Sequence, residues 1–127
     1  MNVFRTIDIE HKPYVKGPAQ TRIVKYVGQD LTVMCTVDAL PTPVMSMGRI
    51  GGYLTASGDR IKMITQNPTD NPENKYAVGM TITELQVDDS GSYYCKGNNT
   101  HGDDTQHFQI VVVEASHKVR KLDHLLM

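Results

Sequence analysis

The sequence lacks most of what would announce an enzymatic or membrane function. No apolar run in its 127 residues approaches 18, so no segment reads as a membrane-spanning helix. Lys and Arg total 13 against 14 Asp and Glu, and this near balance gives no basis for a nucleic-acid or membrane partner. The opening residues Met1-Asn2-Val3-Phe4-Arg5-Thr6 contain no long apolar stretch of the secretory type, which leaves a mature segment, an excised fragment or a cytosolic chain. No glycine-rich phosphate loop leads into a helix, and neither G-x-S-x-G nor H-E-x-x-H occurs. The two cysteines have no C-x-x-C neighbour, and both sit where core residues belong, which argues against a nucleophilic thiol. These absences point away from an enzyme, and no cofactor is expected.

What is present is alternation. The length fits one domain with a modest core, and the 39% hydrophobic and 21% charged fractions are ordinary for a globular chain. Residues 1–12 read as a leader or linker that stops at Pro13. Tyr14-Val15 and Ile23 to Val27 flank Lys16-Gly17-Pro18-Ala19, so the first strand is expected to be split by a kink at Gly17-Pro18. Gly28 then turns into a strand in which Leu31, Val33, Cys35 and Val37 alternate with Asp30, Thr32, Met34 and Thr36. A loop with Pro41 and Pro43 precedes a short strand carrying Met45 and Met47 on one face. Gly48 to Asp59 is rich in glycine and reads as an edge connection. Arg60 to Thr65 alternates as a strand, Gln66 to Lys75 reads as an exposed loop, and Tyr76 to Thr83 is a strand with Met80 and Ile82 facing inward. The last strand is expected over Thr105 to Glu114. Phe108, Ile110 and Val112 share one of its faces and Val111 and Val113 the other, which implies that the outer face is covered by the N-terminal segment, a neighbouring domain or a partner.

The most specific stretch is Leu85-Gln86-Val87-Asp88-Asp89-Ser90-Gly91-Ser92-Tyr93-Tyr94-Cys95. Asp89 and Gly91 suit a tight corner, because Asp hydrogen-bonds nearby backbone and Gly tolerates positive φ. Tyr93 lies two residues before Cys95, so a strand puts both side chains on one face. Together with Gly28, Cys35, Pro41-x-Pro43, Arg60 and Asn99-x-x-Gly102, this D-x-G-x-Y-x-C segment makes residues 13–114 resemble an I-set member of the immunoglobulin superfamily. The resemblance implies an all-β fold, an immunoglobulin-like β-sandwich of two antiparallel sheets. It further implies a disulfide between Cys35 and Cys95, a buried Tyr93 ring whose hydroxyl bonds the corner backbone, and a structural pair between Arg60 and Asp89. One departure stands out: the family has a core tryptophan about a dozen residues after the first cysteine, whereas this chain has none. Met47 occupies that place, and an unbranched thioether fills irregular gaps and packs well on aromatic rings.

Between the last two core strands, Lys96 to Asp104 reads as a hairpin loop in which Asn99 and Gly102 serve the turn. Asn98-Asn99-Thr100 is a glycosylation acceptor sequence, and Asn67-Pro68-Thr69 is excluded by its proline. His101, Asp103, Asp104 and His107 crowd this hairpin, but their spacing matches no known ligand pattern, so no metal is expected. In the tail, residues 115–127, Val119, Leu122 and Leu126 fall at helical spacing among basic residues. Two readings stand there, a short amphipathic docking helix or a flexible end.

The resemblance implies a non-catalytic protein-binding domain of an extracellular cell-adhesion, receptor or secreted recognition protein. The alternative is a structural I-set domain of an intracellular giant muscle protein of the titin and twitchin type, located in the cytoplasmic sarcomere. In either case the partner is a protein, homophilic or heterophilic. The candidate contact residues are Gln109, Val111 and Val113 on the last strand and Asn99, His101 and Asp103 in the hairpin, by fold-level analogy.

Overall fold

The structure, a computed structural model, describes residues 9–51, 60–67 and 71–114. The tail, most of the leader, the glycine-rich connection from residue 52 to 59 and residues 68–70 of the proline-containing loop lie outside the described residues. Within them are eight strands: β1 His11–Lys16, β2 Arg22–Tyr26, β3 Leu31–Leu40, β4 Val44–Arg49, β5 Ile61–Gln66, β6 Lys75–Ile82, β7 Gly91–Asn99 and β8 Gly102–Val113. A single 3-10 turn, Val87–Asp89, leads into β7. The strands form two four-stranded sheets with orders β1-β3-β6-β5 and β2-β8-β7-β4. This is the expected all-β sandwich.

The kink expected at Gly17-Pro18 moves the chain from one sheet to the other. β1 runs antiparallel to β3 in the first sheet. β2 then pairs with β8 in the second, and that pairing is parallel. The second sheet is therefore mixed, with all its other pairs antiparallel.

β3 shows why the alternation was informative. Leu31, Val33, Cys35, Val37 and Ala39 are buried, and the residues between them are not. On β6, by contrast, five consecutive residues from Tyr76 to Met80 are buried. Tyr76, Val78 and Met80 belong to the core cluster, whereas Gly79 sits opposite Met34 of β3 on the other face. The Met34 side chain lies over the bare glycine, so a methyl group there would also run into the Val33 carbonyl oxygen at 2.6 Å.

Cys35 and Cys95 are bridged across the two sheets at a sequence separation of 60, both with no exposed surface. A loop of that length corresponds to about 4 kcal/mol of stabilisation in the chain-entropy treatment. Met47 lies beside the bridge, opposite Cys95 in the β4–β7 register, and is 5% exposed. Met45 packs against the same core from two residues earlier. Methionine thus stands in the core position for which the resemblance expects tryptophan.

Several boundaries differ from the sequence expectation, three of them in ways that bear on the site. β1 already begins at His11, two residues inside the segment read as leader. Gly48 and Arg49 belong to β4 rather than to the connection. Gly48 is a point of close approach: a Cβ there would lie 2.6 Å from the Tyr94 hydroxyl oxygen, so the strand continues because the residue is glycine. Finally, the expected loop over Lys96 to Asp104 is almost all strand. β7 and β8 pair as far as Asn99 and Gly102, which leaves a turn of Thr100 and His101. The polar composition reflects a solvated sheet face rather than a loop.

Truncating Met47 to Ala should lower unfolding free energy by roughly 2–5 kcal/mol, and Met47→Leu by less than about 1.5 kcal/mol. Urea unfolding of the two variants checks this. Equal, small effects would show that Met47 does not fill the space beside the bridge.

Candidate functional site: the corner and the outer face

The corner before β7 is built on one buried carboxylate. Asp89 is 2% exposed. Its Oδ1 accepts from Arg60 Nη2 and its Oδ2 from Arg60 Nη1, both at 3.1 Å, and Oδ2 also accepts the Gln86 backbone N–H at 2.8 Å. Arg60 Nη1 additionally reaches the carbonyls of Thr83 and Glu84 at 3.1 and 3.0 Å. Glu84 has φ of 52°, a left-handed conformation that a side chain rarely takes. Its carbonyl is held by Arg60 and its N–H by the Asp30 carboxylate at 3.0 Å. The hydrogen bond to Asp89 raises the Arg60 pKa.

Tyr93 completes the corner. Its ring is 1% exposed and stacks on Phe108 with centroids 5.8 Å apart, and its hydroxyl donates to the Asp89 carbonyl at 2.6 Å. Gly91, with φ of 157°, stands at the start of β7, where Arg49 lies within 3.0 Å of the position a Cβ would take. The Arg49 guanidinium sits 5.6 Å from the Tyr93 ring centroid and donates to the Ser90 carbonyl. Arg49 is not legible from the sequence as part of this cluster, because Gly48-Arg49 reads as the start of a glycine-rich connection, whereas β4 extends through Arg49. Burial pushes the Tyr93 hydroxyl above the ordinary tyrosine pKa, with Arg49 pulling the other way. Every group in this cluster bonds to another member of the fold, and the cluster acts as a clasp between strands.

The outer face of the second sheet is different. The β2–β8 register sets Val24 beside Val111 and Tyr26 beside Val113. Val24 is 47% and Tyr26 48% exposed, and both β8 valines are partly exposed. Gln109 continues the row beside Arg22. An apolar stripe therefore runs along two strands at the end of the sandwich where β8 finishes. Val24 and Tyr26 escaped the sequence reading, since no local pattern reveals which strand β2 will join.

The hairpin candidates lie at the opposite end. Asp103 and Val111 are on the same strand eight residues apart, which is about 27 Å at ordinary strand rise. The structure does not bring the two groups into one site. Asn99 is engaged internally: Nδ2 donates to the carbonyls of His11 and Pro41 at 2.9 and 3.0 Å, and Oδ1 accepts the His101 N–H at 2.9 Å. His101 Nε2 is 2.8 Å from Glu10 Oε1. Asp103 faces Lys96 at 3.6 Å, and Asp104 accepts the Val15 N–H at 2.8 Å. Asn99, His101 and Asp104 tie the hairpin to the N-terminal segment, and Asp103 pairs within the hairpin, so these residues do not converge on a shared centre.

A groove of about 560 Å³ lies between β2 and the start of β3, lined by Pro18, Ala19, Gln20, Ile23, Val24, Lys25, Leu31 and Thr32. Lys25 is its sole ionisable residue, so the groove offers no acid–base pair. Among the described residues no helix is long and apolar enough to cross a membrane.

A family model described as Immunoglobulin I-set domain matches residues 13–112. Hemolin of Lonomia obliqua is 34% identical over 91 residues, which cover 72% of this chain and 18% of that protein. This chain thus spans less than a fifth of that relative. Among solved structures, Dpr2 Ig1-Ig2 in complex with DIP-Theta Ig1-Ig3 superposes with a TM-score of 0.71 at 19% identity, covering 82% of this chain and 33% of that one. Titin M4 superposes with a TM-score of 0.66 at 19% identity, covering 84% of this chain and 100% of that one. At these identities the likeness is one of fold.

Two outcomes test the corner. Arg60→Ala, which strands a buried carboxylate, should destabilise by roughly 3–5 kcal/mol; a urea midpoint within error of wild type would refute the clasp. For Tyr93, the folded pKa is raised, so the native state keeps its proton where the unfolded chain has lost it. That contribution is complete below about pH 10, the unfolded tyrosine value, and is lost as pH rises beyond it. Stability should fall above that pH. Tyr93→Phe should be weaker at neutral pH by about 1–3 kcal/mol, through the orphaned Asp89 carbonyl, yet show a shallower alkaline decline in a pH series of urea melts.

Proposed function

The chain belongs to the immunoglobulin I-set family, and from that premise we propose that it is a non-catalytic protein-binding module of an extracellular cell-adhesion, receptor or secreted recognition protein. The observation that carries the reading is the apolar stripe of Val24, Tyr26, Val111 and Val113, gathered on two neighbouring strands of the outer sheet face. A β-sandwich buries one face of each sheet in its own core. Apolar groups gathered on the opposite face have no role in that core, and such patches are the usual seats of protein partners. Gln109 and Arg22 lie at one end of the stripe and supply the polar rim that specificity needs. The module runs from β1 to Glu114, with residues 115–127 as its tail.

The extracellular part of the proposal rests on the bridge. Cys35 and Cys95 are positioned for a disulfide across the core, and such bonds persist in oxidising compartments. Protein binding has a parallel in Dpr2, whose immunoglobulin domains are seen in complex with those of DIP-Theta.

A second reading has its own support. The titin M4 domain is matched over its entire length, and a structural domain of an intracellular muscle protein needs no outward binding stripe beyond contact with its neighbours. The thiol state separates the two readings. Intact mass of natively produced protein with and without reduction and alkylation should reveal a bridged pair; two free thiols would favour the sarcomeric reading.

The binding surface has a separate test. Val111→Asp and Val113→Asp together should abolish self-association or partner binding in analytical ultracentrifugation and pull-down, while circular dichroism stays unchanged. Retention of both interactions in the folded variant would eliminate this face.

A further inference from the structure

Three residues at the end of β7 share one polar sequence but occupy different environments. Gly97 is buried, and a Cβ there would lie 3.0 Å from Val37 Cγ1 and 3.2 Å from Pro13 Cβ. Strand alternation then points Asn98 outward, where it is exposed. Asn99 turns back and is held by its three hydrogen bonds to His11, Pro41 and His101. Among the described residues, neither Asn98 nor Thr100 has a side-chain hydrogen-bond partner, and both are exposed. The pattern Asn98-Asn99-Thr100 therefore places its acceptor carboxamide and its hydroxyl in solvent, with only the middle residue built into the fold.

The structure assigns Asn98 as the attachment site of an N-linked oligosaccharide that shields the hairpin end of the outer face. In that modification a bond forms between Asn98 Nδ2 and the anomeric carbon of an oligosaccharide carried on a polyprenyl diphosphate. The bond from that carbon to the diphosphate oxygen breaks, the diphosphate leaves with the electron pair, and Nδ2 gives up one proton; nothing is oxidised or reduced. What the sugar covers follows from the register. Asn98 is paired with Val44 on β4 and with Asp103 on β8. Val44 is 72% exposed, and directly opposed strand residues lie about 4.5–5.5 Å apart. The first sugar ring thus lies over Val44. The stripe at Val111 and Val113, about 27 Å along β8 from Asp103, stays clear of it. The glycan blocks adventitious contact through one end of the face and leaves the other for protein.

This inference rests on the extracellular reading, and one sample separates the two. The protein is isolated from the cells that naturally produce it, with the variants expressed in the same cells from the natural gene, and its bridge and glycopeptides are read by mass spectrometry. Bridged protein carrying sugar at Asn98, released by a glycosidase that leaves aspartate there, is the expected result. Asn98→Gln and Thr100→Ala should each lose the glycoform completely. Asn99→Gln keeps the acceptor pattern and should retain the sugar while unfolding more easily, which distinguishes modification from folding failure. Bridged protein without sugar would overturn the inference and leave the extracellular reading standing; unbridged, unmodified protein would overturn both. Asn98→Gln should also bind more of an apolar dye, with the gain lost in Asn98→Gln/Val44→Thr. An unchanged signal would remove the shielding role.

Discussion

The buried Asp89 carboxylate is the constraint on which the geometry of the second sheet depends. A carboxylate at this depth is tolerable only with its oxygens satisfied, and here three hydrogen bonds from Arg60 and the Gln86 N–H do so. Those bonds fix the 3-10 turn, and the Tyr93 hydroxyl bonds the same residue's carbonyl, so the first residues of β7 have one place to be. In a strand, a slip of one residue exchanges the two faces. The corner therefore decides that Tyr93, Cys95 and Gly97 face the core and that Tyr94, Lys96 and Asn98 face outward. The bridge to Cys35, the packing of Met47 and the orientation of Asn98 all follow from that one register.

The absence of tryptophan has a local consequence. The core beside the bridge is filled by Met47 with Met45 close by, flexible side chains at the place where the resemblance expects a tryptophan ring. Rigidity is supplied elsewhere: Tyr93 stacks on Phe108, and Arg49 lies over the Tyr93 ring from the end of β4. Aromatic stacking and a cation over a ring face each add specific geometry to simple burial. The bridge, the aromatic pair and the charged clasp all lie on β7 or at its start, which makes that strand the spine of the molecule.

The two ends of the outer face differ in how their groups are engaged. At the hairpin end Asn98 lies beside the exposed Val44, and the polar groups around the turn are engaged with the N-terminal strand through Asn99, His101–Glu10 and Asp104–Val15. His11 lies 3.5 Å from Asp38 of β3, which also binds Lys75 of β6 at 2.8 Å, so the N-terminal strand meets a pair that joins β3 to β6. At the far end the groups are apolar and unpaired. A protein partner gains more from the second end, because hydrophobic contact needs no exchange of existing hydrogen bonds.

How much of this was legible beforehand depends on the range of the interaction. The alternation in β3, the corner from Asp89 to Cys95 and the split at Gly17-Pro18 are local patterns whose physical causes lie within a few residues. The same locality made the hairpin misleading, since polar residues on a solvated strand look like a loop. The Arg60–Asp89 and Cys35–Cys95 pairings were anticipated only through family resemblance. The sequence alone determined that this is an alternating β chain with a tyrosine corner, two core-type cysteines and an acceptor asparagine at position 98. Only the tertiary structure decided that β2 crosses to β8, which sets Val24 and Tyr26 beside Val111 and Val113, and that Asn98 faces water while Asn99 is held by hydrogen bonds to His11 and Pro41. Strand pairing is a choice among distant segments, made by complementarity across the whole sandwich, and no neighbouring residue encodes it.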